Sequence, residues 1–293
     1  MTDNDKNILK DYSRYLKVER AMSPNTASAY CSDIVLFLGS EEGLSSDKVT
    51  ADDIIAYLSA RTGYSKRSQA RLLSALRSFF NYLVSERLVR ENPCDSLDSP
   101  KIGRYLPEVL SVGEVERIMD SVQMNDVCGV RDRAILEVLY GCGLRVSEAA
   151  GLRISDIFIK EKFVRVIGKG DKQRLVPIGD MALEYICKYL DMRQEPYDKA
   201  SEDILFLNRF GKRLSRISIF NMVKKQAVLA GIRKEISPHT FRHSFATHLI
   251  ENGADLRAVQ EMLGHESILT TEIYTHIEKS VWQKTVLAHH PRK

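Results

Sequence analysis

NPCDSLDSPKIGRYLP, residues 92–107, holds three prolines and no sustained hydrophobic period. Proline fixes φ and lacks an amide donor, so helices and central strands stop in such a stretch. A linker is expected at 96–107, between one domain at 1–95 and another at 108–293. A chain of 293 residues is long enough for about two domains.

Upstream of this break the pattern is helical. In SPNTASAYCSDIVLFL (23–38) Ser23 is placed to cap a helix with Pro24 at its first position, and Tyr30, Ile34 and Phe37 fall on one face. SKRSQARLLSALRSFFNYLVSERL (65–88) puts Leu72, Leu76, Phe79, Phe80 and Leu83 inward, with Lys66, Arg67 and Arg71 near its start. A small helical bundle satisfies both. Its basic first turns are either a solvated face or a track for a phosphate backbone.

Downstream, VRDRAILEVLY (130–140) reads as a helix stopped by Gly141, and KFVRVIGKGDKQRLVPIG (162–179) as a β-hairpin around GKGDKQ. Beyond Ile178 the chain is again mostly helical. The expected fold is mostly α with a small β-sheet, a helical bundle followed by an α+β domain. GLRVSE (143–148) is echoed by GLRISD (151–156), so the residues alone leave Arg145 and Arg153 equivalent. Arg145 could also simply pair with Glu148, one turn on.

SPHTFRHSFATHLI (237–250) collects three histidines and an arginine on one expected helix capped by Ser237 and Pro238. His239 and His243 stand four apart, as in metal-binding helices. The glutamate of HExxH is missing, however, and Arg242 would set a fixed positive charge beside a cation. Amides at a helix N-terminus together with a guanidinium suit a phosphate instead. His243 and His248 read as structural. In GADLRAVQEMLGHESILTTEIYTH (253–276) Gly264 ends a helix, His265 follows at the turn, and Tyr274 lies about 100° from the apolar stripe of Leu269, Ile273 and Ile277.

Composition narrows the remaining classes. Hydrophobic residues make up 44% and charged residues 28%, ordinary for a globular protein, and the net charge is only +4. No apolar run approaches the ~18 residues of a membrane span, and the start MTDNDKNILK is polar, so a cytoplasmic protein without membrane contact is expected. The five cysteines are scattered, with no CxxC pair.

GCGLRVSE, IGKG, HTFRHSFATHL, LGH and IYTH, in this order, resemble the tyrosine recombinase (phage integrase) family, and the HHPRK terminus resembles its XerD-type members. The resemblance implies a C-shaped clamp around DNA, with a helical core-type DNA-binding domain at 1–95 and a catalytic domain at 108–293. It implies that Tyr274 attacks a phosphodiester, giving a 3′-phosphotyrosine, without cofactor, metal or ATP. By motif position Arg145 and Arg242 bind the non-bridging oxygens, His239 assists as base, His265 hydrogen-bonds the phosphate and Lys169 protonates the departing 5′-oxygen. Arg67, Arg71, Lys172, Arg174, Lys212 and Arg213 are expected to contact backbone phosphates. The tail bearing Val281, Trp282, Val286 and Leu287 would be an exchange helix within a tetramer on two double-stranded DNA recombination sites. The partner would be a second copy or a XerC-like paralogue, with activation by an FtsK-type DNA translocase in chromosome dimer resolution. A mobile-element integrase shares these motifs; a type IB topoisomerase shares the nucleophile and arginines.

Overall fold

Side-chain caps set where the helices of the first half begin. Thr2 and Thr50 close capping boxes with Asp5 and Asp53 at the starts of α1 (Asp3–Val18) and α3 (Ala51–Ala60). Ser23 and Ser65 accept the amides of Thr26 and Ser68 at the starts of α2 (Pro24–Leu38) and α4 (Lys66–Ser85). The computed structural model describes residues 1–41, 44–100, 108–168, 172–264 and 288–291. The chain divides into two units, Met1–Tyr105 and Leu106–Lys293.

In the first unit Tyr12 and Leu16 of α1, Ile34, Phe37 and Leu38 of α2, and Ile54 of α3 enclose the inward face of α4. That face is Leu72, Leu76, Phe79, Phe80 and Leu83, each almost wholly buried. Tyr30 packs only at the rim of this core. Asp33 of α2 takes both terminal nitrogens of Arg71, which ties α2 to α4.

The second unit opens with α5 (Val112–Asp120) and α6 (Val127–Gly141). Every residue of α6 from Ala134 to Tyr140 except Glu137 is 0% exposed, and Glu137 is 1% exposed and paired with Arg133 at 3.0 Å. A helix apolar on nearly all sides has to lie at the centre, and α6 does. Then come α7 (Val146–Ala150), a 3-10 turn (Ile154–Asp156) and a sheet of β1 (Ile157–Phe158), β2 (Phe163–Ile167) and β3 (Gln173–Pro177). The sheet is antiparallel in the order β1-β2-β3, with Phe163 opposite Pro177 and Ile167 opposite Gln173, so 162–179 is a hairpin. The unit continues through α8 (Asp180–Met192), α9 (Arg216–Leu229), α10 (Pro238–Glu251) and α11 (Leu256–Leu263).

Residues 288–291 sit against α10 and α6. His289 Nδ1 donates to the carbonyl of Asn252 at 2.6 Å, and the Asn252 amide donates back to the carbonyl of His289 at 2.7 Å. His290 is 1% exposed, its ring 4.7 Å from that of Tyr140 and 5.4 Å from that of Phe245. Among the described residues, no helix is long and apolar enough to cross a membrane.

Candidate active site

The site starts from a turn that only glycine fits. Gly143 has φ +59°, and a Cβ there would lie 2.5 Å from Cδ1 of Phe245 on α10. This turn delivers Arg145 as the N-cap residue of α7, where its amide donates to Glu148 Oε2 at 2.8 Å and its Nη1 to Glu148 Oε1 at 2.9 Å. Arg242, one turn into α10, donates Nη1 to the carbonyl of Gly143 at 2.7 Å. Arg174 on β3 takes the same glutamate bidentately, both contacts at 2.8 Å.

The three arginines converge on the C-terminal end of α11. Arg174 Nε donates to the carbonyl of Met262 at 2.8 Å, Arg242 Nη2 to that of Leu263, and Arg145 Nη2 to that of Gly264 at 3.1 Å. The last carbonyls of a helix have no intrahelical donors and carry partial negative charge, so three consecutive ones are natural seats for guanidinium groups. Gly264 ends the helix in the left-handed conformation at φ +63°. A Cβ there would press on Arg174 Cδ at 3.3 Å.

Among the described residues three guanidiniums face one carboxylate, two positive charges in excess. Arg174 and Glu148 are buried, as is Arg242; the Arg145 side chain is 33% exposed and forms the outlet to solvent. Burial and then the charge of Arg145 push Arg242 down to about 10, which still leaves it charged at neutral pH. Burial pushes the Glu148 carboxyl up, but the hydrogen bonds and charge of Arg174, then the backbone and side-chain hydrogen bonds of Arg145, carry it below its ordinary value. A desolvated, net positive set of forked donors can hold a phosphodiester and oppose the charge that grows on it during attack.

Glu148→Gln is expected to cost about 3 kcal/mol near neutrality, because two buried guanidiniums lose their counter-charge. The native carboxyl titrates below its unfolded value, so its contribution is complete above about pH 4.5 and is lost as pH falls through the lower native value. Urea melts from pH 7 to pH 3 should therefore show the deficit shrinking on acidification. A deficit constant across that range would mean the carboxylate charge is not what stabilises the cluster.

The other histidines separate cleanly. His239 lies in the first turn of α10, exposed, and three residues before Arg242 on the same side of the helix. His243 is half-buried. His248 is buried, its Nδ1 2.8 Å from the Tyr140 hydroxyl, and burial holds its ring below the usual histidine range. Among the described residues no group of three or more His, Cys, Asp or Glu could hold a metal ion. Arg153, the counterpart of Arg145 in the sequence echo, lies outside the cluster: it is exposed, and its backbone bridges to Ile204.

Residues 108–280 match the phage integrase family, and residues 9–87 match the N-terminal SAM-like domain of phage integrases. The chain belongs to the phage integrase family. It is similar to the tyrosine recombinase XerD of Staphylococcus aureus (strain Mu50 / ATCC 700699), 43% identical over 97% of this chain and 99% of the relative. It is similar also to XerD of Chlorobaculum tepidum, 44% identical over 97% and 96%. Among solved structures it resembles XerA recombinase, with a TM-score of 0.51 and 32% identity, covering 98% of this chain and 99% of that one. It also resembles XerH site-specific recombinase bound to difH substrate in a pre-cleavage complex, with a TM-score of 0.66 and 26% identity, covering 93% and 81%.

In this phage integrase family member three of the residues singled out from motifs, Lys169, His265 and Tyr274, lie outside the described residues, as do Val281, Trp282, Val286 and Leu287. Of the six expected phosphate contacts, Arg67 and Lys172 are exposed. Lys212 is exposed with its ammonium 4.0 Å over the Tyr197 ring, and Arg213 is exposed with Nε donating to the carbonyl of Ala150 at 2.9 Å. Arg71 is half-exposed, but its fork is already taken by Asp33. Arg174 requires correction. At 8% exposure and locked to Glu148, it is an interior member of the arginine cluster, with no surface left for a backbone phosphate. Its place on a period-two strand, on the same face as buried Val176, was the signal that could have put it inside.

Proposed function

We propose that this protein is a site-specific tyrosine recombinase that cleaves and rejoins double-stranded DNA through a 3′-phosphotyrosine on Tyr274. The observation that carries this reading is the net positive arginine cluster at the end of α11. In the reaction the Tyr274 oxygen bonds to phosphorus as the bond to the 5′-oxygen breaks, so bond energy is conserved and no nucleotide is consumed. Arg145 and Arg242 hold the non-bridging oxygens, assisted by His265. Deprotonating a phenol at pH 7 costs roughly 4 kcal/mol, which gives His239 its role as proton acceptor. Lys169 returns a proton to the departing 5′-oxygen. The helical first unit serves as a DNA-binding domain with Arg67 on a backbone phosphate, and Lys172, Lys212 and Arg213 of the second unit contact others.

The XerD name of the similar proteins and the difH complex of XerH support a role in chromosome dimer resolution, carried out in the cytoplasm. The assembly would be a tetramer on two sites, built with itself or a XerC-like paralogue and activated by an FtsK-type translocase.

The test is a nicked duplex carrying the candidate site, incubated with protein in EDTA. A covalent protein–DNA adduct is expected that Tyr274→Phe abolishes, together with strand exchange when two sites are supplied. No adduct sinks the recombinase reading; an adduct with supercoil relaxation but no exchange reassigns it to a topoisomerase. In the same assay Arg145→Lys is expected to slow adduct formation by about 100-fold, since lysine cannot reproduce the fork, whereas Arg153→Lys leaves it nearly intact. The reverse result would move the phosphate clamp to Arg153.

A further inference from the structure

Arg174 is an arginine with almost no route to solvent. It donates Nη1 and Nη2 in parallel to the two Glu148 oxygens at 2.8 Å each, and Nε to the carbonyl of Met262 at 2.8 Å. Glu148 also accepts one terminal nitrogen of Arg145 on Oε1 and the Arg145 amide on Oε2. A carboxylate offers about four lone-pair sites, so these four donors fill it. Saturation has a consequence for Arg145. Its guanidinium meets Glu148 through a single N–H and cannot close a full fork on the carboxylate, because Arg174 already occupies that position.

We infer that Arg174 is a positioning residue for strand cleavage: by taking Glu148 bidentately from inside, it holds Arg145 to a single N–H on the carboxylate and leaves its remaining N–H groups for the substrate phosphate. This rests on the recombinase reading above. Without Arg174 the excess of positive charge in the cluster falls from two to one, and Glu148 has two vacant lone-pair sites beside Arg145. The partly exposed Arg145 then swings into a two-point ion pair, the geometry that guanidinium and carboxylate favour, and is lost to the phosphate. Arg174 also anchors β3 to the end of α11 through Met262. A Cβ at Gly168, on the base of the hairpin next in sequence to Lys169, would stand 3.5 Å from Arg174 Nη1 and 3.7 Å from Glu148 Oε1. The Arg174–Glu148 pair thus underlies the hairpin base as well as Arg145.

The experiment measures single-turnover adduct formation on nicked site DNA, and site binding separately, for wild type, Arg174→Met, Arg174→Lys and the double variant Glu148→Gln/Arg174→Met. Arg174→Met is expected to cleave about 10- to 100-fold more slowly with site binding retained, the scale on which loss of a supporting partner acts. Glu148→Gln in the same chain removes the carboxylate that captures Arg145, so the double variant is expected to cleave faster than Arg174→Met alone. A merely structural arginine would give a double variant no faster than the single one, and that result overturns the inference. Should Arg174→Met fail to fold, Arg174→Lys decides, since it keeps the charge without the fork: slower cleavage at an unchanged melting temperature supports positioning, and wild-type cleavage refutes it. Absence of any adduct from the wild type refutes the recombinase reading and this inference with it, whereas a normal wild-type adduct with insensitive Arg174 variants refutes this inference alone.

Discussion

Arg242→Gln is expected to slow covalent cleavage of nicked site DNA by about 10²- to 10³-fold, the loss typical when a preorganised donor to developing negative charge is removed. The size follows from where Arg242 stands. Its fork is fixed between the carbonyl of Gly143 and the carbonyl of Leu263, so no reorganisation is needed as charge builds on the phosphate. Burial keeps water from screening it. Glutamine keeps hydrogen-bond donors but abolishes the charge and cannot span both carbonyls. Each carbonyl left without a donor costs about 1–3 kcal/mol, so a lowered melting temperature should accompany the rate loss. Rates are best compared at saturating protein, with site binding measured separately by gel shift. Cleavage within tenfold of wild type would mean that Arg242 is a structural brace and that the phosphate is held elsewhere.

The second large effect belongs to Gly143→Ala, which touches no substrate. Alanine at φ +59° carries a left-handed penalty of about 1–2 kcal/mol, and its Cβ, 2.5 Å from Phe245 Cδ1, adds an overpacking cost of about 1–3 kcal/mol. Together these lower the melting temperature by roughly 10 °C for a unit of this size. Activity falls too, because the displaced carbonyl of residue 143 is the acceptor that aims Arg242, and Arg145 lies two positions further on. Adding Phe245→Leu to Gly143→Ala should return part of the stability by relieving the clash, while the φ penalty stays. A melting temperature within 2 °C of wild type would show that the turn has another conformation open to it.

Much of the local architecture was legible because its causes act within a few residues. Ser23 before Pro24, Ser237 before Pro238 and Gly264 after Leu263 each mark a helix end through chemistry confined to one turn, and the structure has those ends. The hairpin at 162–179 followed from β-branched residues on either side of a glycine-rich tip. Arg174 was misplaced for the opposite reason. Its partners lie 26 residues away at Glu148 and 88 away at Met262, and nothing in QRLVP shows that a carboxylate and a helix end are waiting there. The same distance explains why Arg145 and Arg153 could not be told apart from their matching GLR contexts. The fold separates them by giving Arg145 a seat at the end of α11 and leaving Arg153 in solvent. Lys169, His265 and Tyr274 stand on motif position alone, outside the described residues.

Phe245 has neighbours on two fronts: Gly143 abuts the ring, and His290 packs against it at a tilt. The stretch 265–287 is thus bracketed by moorings on a single body, Gly264 at its head and the His289–Asn252 clasp at its foot. The turn that seats the arginines and the packed His290 therefore lean on one phenyl group, so a change at Phe245 disturbs both together.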